Sequence, residues 1–95
     1  MVSRITISPE QVRNVASQFK TKSQESISMS QQLDNSVKNI QSQWEGAASQ
    51  RFYTDFETWK QQMQKHAELL NNIGIELDRV ANTIEQTDQQ LASGR

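Results

Sequence analysis

Cysteine is absent from the 95-residue chain. That excludes disulfide staples and thiolate chemistry and leaves the redox compartment open. Proline occurs once, at Pro9, and glycine only three times, so the usual helix breakers are nearly missing from residue 10 onward. No apolar run approaches the ~20 residues of a membrane-spanning helix. The opening stretch MVSRITISPEQVRN lacks the apolar segment of a secretory signal peptide. A chain of this kind, if it leaves its cell, is expected to do so by a route other than the general one. Neither sign of charge is in excess, with ten Lys and Arg against eleven Asp and Glu. Without a basic stripe, nucleic acid is not an expected partner. Apolar residues make up 34% of the chain, below the ~45–50% of ordinary globular domains. Such a chain cannot build a sizeable core alone, and a protein partner is expected.

What apolar content there is follows helical periods. In ITISPEQV, Ser8 suits an N-cap and Pro9 the first helical position. Gln11 completes a capping box with Ser8, and Ile7 and Val12 hold the positions of a hydrophobic staple. The first helix is therefore expected to start at residue 9. Val12, Val15, Phe19, Met29, Leu33, Val37, Ile40 and Trp44 follow at spacings of three, four or sevens from these. The serines at 23, 26 and 30 interrupt this stripe but would let another backbone come close. In the second half, Phe56, Met63, Leu70, Leu77, Ile84 and Leu91 recur every seven residues, and so do Trp59, His66, Ile73, Val80 and Thr87. This is a heptad seam of coiled-coil type. Beside it run Ala67, Gly74 and Ala81, again seven apart, a row that predicts close helix–helix approach.

Only WEGAA separates the two helical stretches, and so short a connection joins antiparallel neighbours. The expectation is an all-α fold of a single domain. Helix 1 is placed at about 9–44, a WEG turn at 44–46 with Gly46 ending the first helix, helix 2 at about 47–91, and a frayed tail at 92–95. With the turn near residue 46, Phe19 would face Ile73, Leu33 would face Trp59, and Val12 would face Val80. Phe56 and Trp59 are then core residues by default. Ile84, Asp88 and Leu91 would overhang the first helix with no partner inside the hairpin. Ile27, Phe52, Leu69 and Ile75 lie off the seam and need cover too. Dimerisation of two antiparallel hairpins into a four-helix bundle meets these needs, and brings Trp44 of one chain toward residues 84–91 of its mate. The seam expected to serve helix packing and dimerisation comprises Val12, Val15, Phe19, Leu33, Ile40, Phe56, Trp59, Met63, Leu70, Ile73, Leu77 and Val80. Self-association is favoured over pairing with a related hairpin by the continuity of the seam in helix 2 and by the absence of a strong charge bias.

Chemistry is not indicated. His66, in KHAELL, has no second ligand at helical spacing and reads as a seam residue. The carboxylates, such as Glu76 beside Arg79, read as solvated faces and short-range ion pairs. There is no nucleophile–base pattern and no glycine-rich phosphate loop, so no enzyme activity, metal or cofactor is expected. The narrow seam with its Gln- and Ser-rich surroundings is unlike a membrane-inserting amphipathic helix.

A helical hairpin of this length with Trp44-Glu45-Gly46 at its midpoint, small residues and an aromatic following in WEGAASQRF, and no cysteine resembles the WXG-hundred (ESAT-like, early secreted antigenic target) family of type VII secretion. The resemblance covers nearly the whole chain. It implies a small dimer exported by Gram-positive or mycobacterial cells, cytoplasmic before export and secreted without a cleavable signal peptide, as substrate or co-export factor. It further implies recognition by a membrane ATPase of the FtsK/SpoIIIE type. The signal in the family is bipartite, a Trp-x-Gly turn from one subunit beside a C-terminal segment from the other. Here that assigns Trp44 and Gly46 together with Ile84, Asp88 and Leu91. The C-terminal match is partial, because Arg95 stands where the pattern ends on an apolar residue. Tyr53 and Glu57 have the Tyr-x-x-x-Glu spacing of another form of the signal but follow the turn, and are read as a chance match. The alternative is a structural or adaptor coiled-coil protein that binds partner helices with no secretion role.

Overall fold

A computed structural model describes residues 7–94, with side chains described for residues 7–87. The described residues form two helices, α1 (Pro9–Gln41) and α2 (Ala47–Gly94). The contacts between them run in opposite directions along the two helices, from Arg13 with Glu85, through Lys20 with Asp78 and Ser23 with Ala67, to Lys60 with Asp34. The hairpin is therefore antiparallel, as so short a connection requires. At 1.5 Å per residue α2 is about 72 Å long, close to the 74 Å long axis of the molecule, whose other extents are 23 and 15 Å. No helix among the described residues is long and apolar enough to cross a membrane.

Helix α1 starts where its local signals place it. The Ser8 hydroxyl accepts from the Gln11 amide at 3.2 Å, and the Ser8 amide donates to Gln11 Oε1 at 2.8 Å. Ile7 stays exposed while Val12 is buried. The other end differs from expectation, because α1 stops at Gln41 rather than at Trp44. The Gln43 amide donates to the Ile40 carbonyl and the Ser42 hydroxyl to the Asn39 carbonyl. Three-residue contacts of this kind tighten and close a helix end, leaving Trp44 and Glu45 in non-helical backbone. Gly46 has the expected positive φ, at 118°, but it opens α2 instead of closing α1. Its carbonyl accepts from the Gln50 amide at 3.0 Å and from the Ser49 hydroxyl at 2.8 Å. Helix α2 continues to Gly94, so residues 92–94 are helical in backbone where a frayed tail was expected. Arg95 lies outside the described residues.

The interior of the hairpin is built from small side chains. Ala16 and Ser23 on α1, and Ala67, Gly74 and Ala81 on α2, are all buried. A Cβ on Gly74 would lie 2.9 Å from the Ala16 carbonyl oxygen and 2.8 Å from Lys20 Cγ, so the backbones pass too closely there for any side chain. The close approach read from the Ala67, Gly74, Ala81 row is thus present. On one side of that row, Phe56 and Ile84 are buried and Met63, Leu70 and Leu77 partly buried. The other heptad row is not interior. Trp59, expected as core, is 47% exposed, Val80 is exposed, and Ile73 is only partly covered. The small residues bring the helices together along a line that leaves this row on the flank. Ile84 also departs from expectation, because it is 9% exposed and packs on Val12, Ala81 and Leu77 within its own hairpin. Helix α1 reaches far enough to cover it, as the Arg13–Glu85 pair at 2.9 Å confirms.

The chain does not close on itself as a compact body does. Its radius of gyration is 21.4 Å, against roughly 12 Å for a compact domain of this length. Its accessible surface is 7468 Å², against roughly 5,600 Å² expected of a folded monomer of this mass.

Candidate functional site

The connection between the helices carries a cluster of aromatic rings. The Trp44 ring lies 5.6 Å from that of Phe52, tilted at 45°, and 5.8 Å from that of Tyr53, edge-on. Phe52 in turn lies 5.8 Å from Tyr53, stacks with Phe56 at 6.0 Å and meets Trp59 edge-on at 6.1 Å. Tilted and edge-on pairs are the favourable arrangements of ring quadrupoles. The Tyr53 hydroxyl also donates to the Trp44 carbonyl oxygen at 3.3 Å. One turn of α2 thus supplies a floor for Trp44, which remains 38% exposed. Phe52 and Tyr53 carry this floor, although the sequence reading gave them no part in the site. The available signal was the crowding of aromatics, since five of the six lie between residues 44 and 59.

Gly46 fixes the direction in which the chain leaves Trp44 and enters α2. Nothing lies within 4 Å of where its Cβ would be. The position therefore demands glycine for its backbone angle and not for space. Ser49, which holds the Gly46 carbonyl, is itself buried.

The two long faces of the hairpin differ. One is laced by ion pairs. Arg13 joins Asn82 and Glu85, Lys20 joins Asp78, and Lys60 joins Asp34 at 2.8 Å and Glu57 at 2.9 Å. Hydrogen bonds from Lys60 and then Lys38 hold the Asp34 carboxyl below the usual carboxylate range. The bonds to Asp34 and Glu57 push the Lys60 ammonium up. Lys60 also lies 5.7 Å from the centre of the Phe56 ring. On the flank with Trp59, large apolar side chains stand open to solvent, among them Val15, Met29, Leu33, Ile40 and Val80. Here a groove of about 270 Å³ is lined by Ser26, Met29, Trp59, Gln62, Met63 and His66. His66 is exposed beside it.

Of the residues expected to form the recognition surface, the structure sets Trp44 and Gly46 together at the turn and places Ile84 at the far end of the hairpin. The side chains of Asp88 and Leu91 lie outside the described residues. Of the expected seam, Val12 and Phe56 are buried in the single hairpin and Phe19, Met63, Leu70, Ile73 and Leu77 partly buried, whereas Val15, Leu33, Ile40, Trp59 and Val80 are exposed over roughly two-fifths or more of their surface.

Comparison with known proteins agrees with this geometry. A family described as proteins of 100 residues with WXG matches residues 4–89. Protein YukE of Bacillus subtilis is 36% identical over 93 residues, covering 98% of this chain and 96% of that protein. The type VII secretion system extracellular protein A of Staphylococcus aureus is 28% identical, covering 97% of this chain and 95% of its own. Among solved structures, EsxA of Geobacillus thermodenitrificans superimposes with a TM-score of 0.85 at 35% identity, covering 97% of this chain and all of that one.

Proposed function

The chain belongs to the WXG100 family, and from that premise we propose that it is a type VII secretion substrate, exported as a dimer and read at its turn by the secretion machinery. The observation that carries the reading is the presentation of Trp44. A large indole stands in non-helical backbone at the end of a rod, supported from below by Phe52 and Tyr53 and still 38% exposed. A side chain serving only to plug the hairpin would be buried. One set between two positioned rings and solvent is a rigid, amphipathic contact point of the sort enriched at binding hot spots.

The second copy follows from the uncovered flank. Val15, Leu33, Ile40, Trp59 and Val80 form an apolar strip that a monomer leaves in water. The surface in excess of a compact monomer, close to 2,000 Å² per chain, exceeds the ~800 Å² per partner that a standard interface covers. Two hairpins packed antiparallel on this flank make a four-helix bundle. The turn of each then lies near the C-terminal part of α2 of the other. The recognition surface would join Trp44 and Gly46 of one chain to Asp88 and Leu91 of its mate. Ile84 supports the end of that helix from within its own hairpin. The reader of this surface is an ATPase of the FtsK/SpoIIIE type, acting on a dimer formed in the cytoplasm.

The test is Trp44→Ala in the native host. The variant is expected to remain a helical dimer by circular dichroism and sedimentation, and to be lost from the culture medium while accumulating in cells. Normal export of this variant overturns the recognition reading. A stable helical monomer at micromolar concentration overturns the dimer.

A further inference from the structure

Phe52 is the ring that touches both tryptophans. Its centroid lies 5.6 Å from Trp44 and 6.1 Å from Trp59. Trp44 belongs to the turn, and Trp59, 47% exposed, belongs to the apolar flank. Trp59 lies seven residues, about two turns, beyond Phe52 on α2, and Phe52 spans the gap between it and Trp44. On its other side its ring lies nearly parallel to that of buried Phe56, with centroids 6.0 Å apart.

We propose that Phe52 is a positioning residue that couples dimerisation to recognition: burial of Trp59 against a second copy holds Phe52, and Phe52 holds Trp44 in the orientation in which the turn is read. The proposal rests on the reading of the turn and flank given above and adds to it a reason for export of the dimer rather than the monomer. In a single chain Trp59 is 47% exposed, so water rather than protein meets the part of it that a second copy would hold against Phe52. Covering that part replaces the water with protein. The differential contact that the two states offer Trp44 is then made through a side chain, without any backbone movement, as a coupling between sites requires.

The background for the test is Trp59→Phe, which keeps a ring against Phe52 and leaves Trp44 as the only indole. Acrylamide quenching of Trp44 is followed as protein concentration is raised through the dimer transition, which is located independently by sedimentation. The quenching constant is expected to fall about two-fold as dimers form. Adding Phe52→Leu, which keeps apolar volume but loses the ring contacts, is expected to abolish that fall and to reduce export about as far as Trp44→Ala does. Phe52→Tyr, which restores a ring, is expected to recover both. Should Phe52→Leu weaken the dimer, quenching is compared across that variant's own transition, so the readout stays on Trp44. Persistence of the fall in Phe52→Leu means that the mate orders Trp44 directly, and the proposal fails. It fails equally if Phe52→Leu is exported normally, or if Phe52→Tyr behaves as Phe52→Leu. Normal export of Trp44→Ala instead removes the recognition reading itself.

Discussion

The two halves of this hairpin are held together by different means. Toward the open end, from Ser23 and Ala67 outward, the helices meet through small side chains, and the backbones approach until Gly74 has no room for a Cβ. The Ser23 hydroxyl donates at 2.6 Å to the Ala67 carbonyl across this contact. Toward the turn the pair of helices is flanked by open grooves. These, of about 450 and 270 Å³, flank the stretch around Ser26 and Met63, which line both. The ion pair of Asp34 with Lys60 joins the helices there, and the ring cluster ties the connection to α2. Close packing leaves no tolerance for added volume, whereas a groove does. The difference separates two tasks along one rod: the open half fixes how closely the helices approach, and the turn half carries both exposed tryptophans.

The strongest way to break the comparison is to put a side chain where the open half has no space. Gly74→Val should destabilise by roughly 3 kcal/mol, read as a lowered urea midpoint, because the clash is with the Ala16 backbone as well as with a flexible lysine. Even Gly74→Ala should destabilise, although alanine gains roughly 1 kcal/mol of helix propensity over glycine. The next effect is smaller. Ser23→Ala removes the buried hydroxyl from the Ala67 carbonyl and should cost about 1 kcal/mol in the same assay.

These first two outcomes bear on what was legible beforehand. The Ala67, Gly74, Ala81 row announced close approach because small residues at heptad spacing admit few other meanings, and the start of α1 announced itself because a capping box is local. Which of the two large heptad rows would flank the interior and which would be left outside was not legible. Phe56 and Trp59 are equivalent by spacing and hydrophobicity, and only the handed geometry of the small-residue contact decides between them. The end of α1 was missed for a related reason. Ser42 and Gln43 carry no strong stop signal, and the helix closes there through contacts to Asn39 and Ile40 that their side-chain types do not advertise. The place of Trp44 at the turn was legible, but its floor of Phe52 and Tyr53 was not, because they lie eight and nine positions on, across a turn.

The comparison is sharpened by adding volume to the other half. Ser30 lines the larger groove and is only partly buried. Ser30→Leu should be tolerated and should stabilise by about 1 kcal/mol through apolar burial, whereas the same change at Ser23 should destabilise. Equal destabilisation at both positions, measured by urea titration, would erase the distinction between the halves. The smallest expected effect is electrostatic. Asp34 has a lowered pKa in the fold because Lys60 and Lys38 donate to it. Its contribution is complete above the ordinary carboxylate value of about 4 and is lost as pH falls through the lower folded value. Lys60, raised by Asp34 and Glu57, contributes fully below its ordinary value of about 10.4 and loses this as pH rises past the higher folded value. In a stability–pH profile, Asp34→Asn should therefore lower the neutral plateau, by the small amount that a partly exposed, screened pair contributes, and flatten the acid limb below about pH 4 by that same amount.

The placement of the tight half has a mechanical side. The start of α1 and the far part of α2 lie at the same end of the rod, beside the Gly74 contact, and the turn lies at the other. Tension applied between the start of α1 and the C-terminal end of α2 therefore loads the helix pair as a zipper rather than in shear, and meets its stiffest teeth first. Once the contacts from Ile84 to Ala67 have parted, the grooved half offers less resistance than the force already applied. A single-molecule trace pulled from that end should show one early peak followed by collapse, not a staircase. The hairpin behaves as a latch placed at the pulled end.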